Sequence, residues 1–94
     1  MDKHYNGKSI ASEVTHNSVK FKMYVIKGFD PNRVPDDKAE GQAIHISLSR
    51  SKKEFDENII EALNEIQEGD SVLAFCSSDL VYEYGYSRLK ELSA

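Results

Sequence analysis

Residues 51–69 read as one amphipathic helix from start to stop, and the rest of the chain has to fold around it. Ser51-Lys52-Lys53-Glu54 has the form of a capping box, a hydroxyl at the N-cap and a carboxylate three residues on. Phe55, Ile59, Leu63 and Ile66 then recur at helical spacing, with Ala62 on the same face, and Gly69 suits a C′ position. The spacing predicts a helix over about residues 52–68. Such a stripe is buried only against a second layer, so the flanking segments decide the architecture.

Those segments read mainly as strands. Val19, Phe21, Met23 and Val25 alternate with Lys20, Lys22 and Tyr24, the period of a half-buried strand that runs on to Phe29. Ile44, Ile46 and Leu48 alternate in the same way with His45, Ser47 and Ser49. Val72 to Cys76 is a continuous apolar run, as in a strand covered on both faces. Residues 30–41 are polar, contain Pro31 and Pro35, and form a loop long enough to be functional or mobile. Residues 1–18 show no sustained periodicity and read as an irregular N-terminal arm.

The last segment supports two assignments. Asp79 suits the cap of a helix whose face is Val81, Tyr82, Gly85, Tyr86, Leu89 and Leu92. Leu80, Tyr82, Tyr84 and Tyr86 also alternate as a strand would after a turn at Ser77-Ser78-Asp79. Gly85 costs a helix interior about 1 kcal/mol, which favours a strand-like start. The ending Ser87-Arg88-Leu89-Lys90-Glu91-Leu92 favours helix. The expected fold is a small α+β single domain over residues 1–94. Its order is β-β-α-β with a mixed strand/helix C-terminal element, the main helix packed on a small sheet.

Composition narrows the class. Leu, Ile, Val and Phe make up 23 of the 94 residues, just above the roughly 20% below which chains stay disordered. The core is therefore thin, and a homodimer would cover part of what it leaves exposed. No apolar run approaches the ~18 residues of a membrane span, and Met1-Asp2-Lys3-His4-Tyr5 is unlike a signal peptide. The single cysteine, Cys76, excludes an internal disulfide, which fits a reducing, cytoplasmic setting. One cysteine and three scattered histidines supply no metal spacing, and no phosphate-binding loop or other cofactor motif is present.

Charge is distributed unevenly. The net charge of −4 divides into +2 over residues 1–50 and −6 over residues 51–94. From Glu54 to Ser87 there are nine acidic residues and no Lys or Arg. That sign opposes direct binding of nucleic acid and suits a basic protein surface. Glu54, Glu57, Glu61, Glu65 and Glu68 are spaced 3, 4, 4 and 3. On a helix they fall within about 80° of arc, opposite the apolar face. Each neighbouring like-charge pair costs about 0.2–0.5 kcal/mol. A solvated face or lysines of the same chain would absorb that cost; a partner would use it. With Asp70 and Glu83, these five are the candidate partner-binding residues. The function expected of them is that of a non-catalytic acidic interaction protein, an inhibitor or modulator of a DNA- or RNA-binding protein. DNA mimicry of the phage or mobile-element type would need further acids, because one helix is sparser than the duplex charge of one per ~1.7 Å.

Two short motifs suggest chemistry instead. His45-Ile46-Ser47-Leu48 and His16-Asn17-Ser18-Val19 resemble the paired H-x-[ST]-x elements of two-histidine phosphoesterases. That resemblance implies His45 and His16 as acid and base on a phosphodiester, with Ser47 and Ser18 holding phosphate. The motifs are 29 residues apart, closer than that family places them, and Asn17 stands where it has an apolar residue. Residues 63–89 resemble the nucleoside deoxyribosyltransferase type of nucleotide-binding fold, through Glu83-Tyr84-Gly85-Tyr86-Ser87. That implies a helix carrying the motif after a strand, with Glu83 acting at a sugar; the Gly-rich first loop of that family is not recognisable here.

Overall fold

A computed structural model of the chain describes residues 9–29 and 42–93. The elements run β1 (Ser9–His16), β2 (Val19–Lys27), β3 (Ile44–Ser49), α1 (Lys52–Glu65), β4 (Ser71–Cys76) and α2 (Asp79–Ser93). The strands form one mixed sheet in the order β1-β2-β4-β3. β1 pairs antiparallel with β2, while β2 and β3 both run parallel to β4. β3, α1 and β4 thus make a β-α-β unit, completed by a hairpin on one side and by α2. The expected α+β domain with its main helix on a small sheet is what forms.

Both helices lie on one face of the sheet. Phe55 and Ile59 of α1 and Val81, Tyr82 and Leu89 of α2 pack with Val14, Phe21, Met23, Val25, Val72 and Ala74. The opposite face holds a smaller cluster of Ile26, Leu73 and Phe75, with Tyr24, Ile44 and Leu48 against it. β4 therefore has apolar neighbours on both sides, which is why its sequence is apolar without alternation.

Three expectations are corrected. The arm assigned to residues 1–18 contains a strand: residues 9–16 are β1, paired with β2 from Ser9↔Ile26 to His16↔Val19; residues 1–8 lie outside the described residues. Asn17 and Ser18 have φ of 52° and 68°, the two positive values that a tight type I′ turn requires. The mixed start of the last element is helix from Asp79 onward, and its cap is Ser78, whose Oγ accepts from the Val81 N–H at 3.3 Å. β2 stops at Lys27, and beyond it the Phe29 ring meets Phe75 edge-on. The loop read at 30–41 lies outside the described residues. Among those described, no helix is long and apolar enough to cross a membrane.

Candidate functional site

Helix α1 starts as its sequence dictates. Ser51 Oγ accepts from the Glu54 N–H at 3.1 Å, and Glu54 Oε1 reaches back to the Arg50 N–H at 2.8 Å. It ends earlier than expected, at Glu65: Ile66 is extended (φ −67°, ψ 143°), and the chain then turns at Gly69 (φ 86°) and is held there by Asp70. Asp70 Oδ2 accepts from the Gln67 N–H at 3.0 Å and from His45 Nε2 at 3.0 Å, and Oδ1 accepts from the Ala43 N–H at 2.9 Å. Glu68 lies in the same turn and accepts from the Lys20 N–H at 2.9 Å, while Gly69 N–H donates to the Lys20 carbonyl.

These bonds sort the acidic candidates. Asp70 is 3% exposed and fully engaged, so it belongs to the fold and not to a docking surface. Glu54 and Glu68 each hold a backbone amide. Glu57, Glu61 and Glu65 remain: all three are exposed, and among the described residues their carboxylates make no hydrogen bond or ion pair. Five of the eight Lys and Arg side chains among the described residues are engaged elsewhere. Lys27 pairs with Asp79 at 3.2 Å and Arg88 with Asp56 and Glu91. Lys22, Lys52 and Lys90 lie over the rings of Tyr24, Tyr84 and Tyr86.

Glu61 and Glu65 also border a groove of about 300 Å³ between α1 and β3. His45 and Ser47 line its strand side, Asn58 and Ala62 its helix side, and Val72 its base. Asn58 Nδ2 donates to Ser49 Oγ at 2.9 Å and to the Leu48 carbonyl at 3.4 Å, tying the helix to the strand. Burial pushes the Asp70 carboxyl up, but the His45 hydrogen bond, the two amides and the His45 charge outweigh it and hold the carboxyl below its ordinary value. The groove is thus negatively charged on its helix wall and fixed by an imidazole–carboxylate pair on its strand side. From the sequence, Asp70 reads as a partner-binding acid, and the phosphoesterase resemblance implies His45 as one member of an acid/base pair with His16. The pairing of Asp70 with His45 across 25 residues is visible only once β3 and β4 are neighbours.

The two histidines are not brought together. His16 ends β1 and His45 lies on β3, opposite edges of the sheet with β2 and β4 between them. Three strand spacings separate them by about 14 Å across the sheet alone. Ser18 lies in the hairpin turn, not on a strand with His16. Glu83 is exposed on α2, in a different depression of about 330 Å³ with Tyr82, Tyr86 and Ser87. Its motif does sit on a helix that follows a strand. Within it, however, Tyr84 is turned to Asp56, donating its hydroxyl at 2.6 Å. Among the described residues no cluster of His, Cys, Asp and Glu is arranged to hold a metal ion. Comparison with protein-family models, with curated proteins and with solved structures finds no match for this chain.

Proposed function

We propose that this chain is a non-catalytic docking protein that offers the α1 row of Glu57, Glu61 and Glu65 to a basic surface on another protein. The observation that carries the reading is the contrast along α1. Glu54 and Glu68 are used by the fold, whereas the three between them are exposed and unpaired among the described residues. Leaving the row uncompensated costs about 0.2–0.5 kcal/mol for each like-charge neighbour pair. Association with Lys or Arg side chains would reverse the sign of that term.

The row places one carboxylate about every 6 Å along the axis, against one charge per ~1.7 Å on duplex DNA. It therefore suits spaced basic side chains and does not copy a duplex backbone by itself. The basic face of a nucleic-acid-binding protein is the target class that fits, and covering such a face makes the chain an inhibitor or modulator. The reading places it in the cytoplasm, consistent with the buried free thiol of Cys76.

The test is a heteronuclear NMR titration of the folded protein with a Lys/Arg-rich peptide at several salt concentrations. Shifts centred on Glu57–Glu65 that fade with rising salt are expected. Reversing Glu57, Glu61 and Glu65 to Lys should abolish them while the unfolding midpoint holds. Unchanged affinity in the triple variant retires the proposal.

A further inference from the structure

Among the described residues, an unpaired sheet edge lies beside the acidic row. Among the described residues β3 has one strand neighbour, β4. The Ala43 and Ser49 carbonyls accept from Ser71 and Ser77 of the β4 side. Backbone groups alternate direction along a parallel strand, so His45 and Ser47 also face β4, and Ile44, Ile46 and Leu48 aim their N–H and C=O groups outward. The Leu48 carbonyl already accepts from Asn58, which leaves, among the described residues, the pairs on Ile44 and Ile46 and the Leu48 N–H. β3 carries no Lys, Glu or Pro of the kind that blunts an edge. Ile46, at its middle, is 50% exposed.

We infer that the partner enters as an extended segment that adds to the sheet along β3, with basic side chains toward α1 and apolar ones on the other side. The inference rests on the docking function proposed above and specifies the form of its partner. Charge and pleat together set the alternation. A strand laid beside β3 points every second side chain over the groove, where Glu61 and Glu65 stand. The intervening side chains fall beside Ile44, Ile46 and Leu48, on the opposite face. The segment so recognised reads basic-apolar-basic-apolar over about five residues. A second copy of this chain fits less well. Added antiparallel about a two-fold axis normal to the sheet, it would bring a second Glu61/Glu65 row against the first.

Three peptides test this: an alternating Lys-Val peptide, the same peptide N-methylated on the amides that would meet β3, and a scrambled peptide of identical charge. N-methylation removes main-chain donors and leaves every charge. The alternating peptide is expected to bind, and the N-methylated and scrambled ones about tenfold or more weakly. Glu61→Gln with Glu65→Gln should weaken the alternating peptide and flatten its salt dependence. Ile46→Pro removes an outward N–H that β4 does not use, and should weaken it as N-methylation does. If N-methylation and scrambling change nothing while the glutamine variant loses binding, strand addition is wrong and the acidic docking surface stands. If the glutamine variant binds all three as the parent does, the docking surface fails too. A concentration-dependent dimer in sedimentation that competes with the peptide would overturn the inference in favour of a second copy.

Discussion

The Asp70 carboxylate sits where the turn after α1 hands the chain to β4, and opposing forces act on its proton. Burial raises its pKa; the His45 hydrogen bond, the Ala43 and Gln67 amides and the His45 charge lower it and prevail, below the ordinary 3.8. A carboxyl held low in the fold binds fewer protons there than in the unfolded chain. Its stabilisation is therefore complete above 3.8 and is lost as pH falls through the lower folded value. Asp70→Ala leaves two amides without their acceptor and should cost about 2–3 kcal/mol in urea unfolding at neutral pH. The gap between variant and parent should narrow in acid below that range. Cys76 gives a second residue-level expectation. Burial pushes its thiol up to about 12, so a thiol reagent at pH 8 should label it only at the rate of unfolding.

At the scale of elements, Gly85 decides how α2 sits. A Cβ built there meets Phe55 Cε2 at 2.7 Å and Val25 Cγ1 at 2.9 Å, so α2 approaches both α1 and the sheet through a missing side chain. Gly85→Ala gains about 1 kcal/mol of helix propensity. The crowding of a phenyl ring and a central strand should outweigh it, for a net loss of about 1–2 kcal/mol in chemical denaturation. The same glycine explains why the C-terminal element was hard to read. Its local cost argued for a strand, whereas its benefit is a contact between segments 30 and 60 residues apart in sequence. β1 was hidden for a related reason. Its inward face carries only Ile10 and Val14 as large apolar residues, and its turn uses Asn17-Ser18 in place of a glycine pair. α1, β3 and β4 were legible because cap, period and apolar run are local signals. The Glu68–Lys20 and Asp70–His45 bonds were not, because each needs the sheet assembled first.

Over the whole molecule, the acidic row sets stability against interaction. Lys27, Arg88, Lys52 and Lys90 are drawn to Asp79, Asp56, Glu91 and the tyrosine rings, while Glu57, Glu61 and Glu65 repel one another along α1. Glu65 adds to the strain by standing in the last helical turn, which has no basic residue and where the macrodipole disfavours a carboxylate. Replacing all three by Gln removes two like-charge i,i+4 pairs and that dipole penalty, so the variant should be more stable by about 0.5–1.5 kcal/mol at low ionic strength. Because salt screens the same repulsion, the gain should shrink toward zero near ~1 M salt. Parallel unfolding curves of parent and variant at low and high salt read this directly. The exchange also takes the net charge from −4 toward neutrality, so a surface kept for solubility should show as aggregation of the variant and leave peptide affinity unchanged. A surface kept for docking should lose its basic peptide in the variant that unfolds later. A variant that gains stability while retaining full peptide affinity would separate the row from binding and return it to ordinary solvated helix.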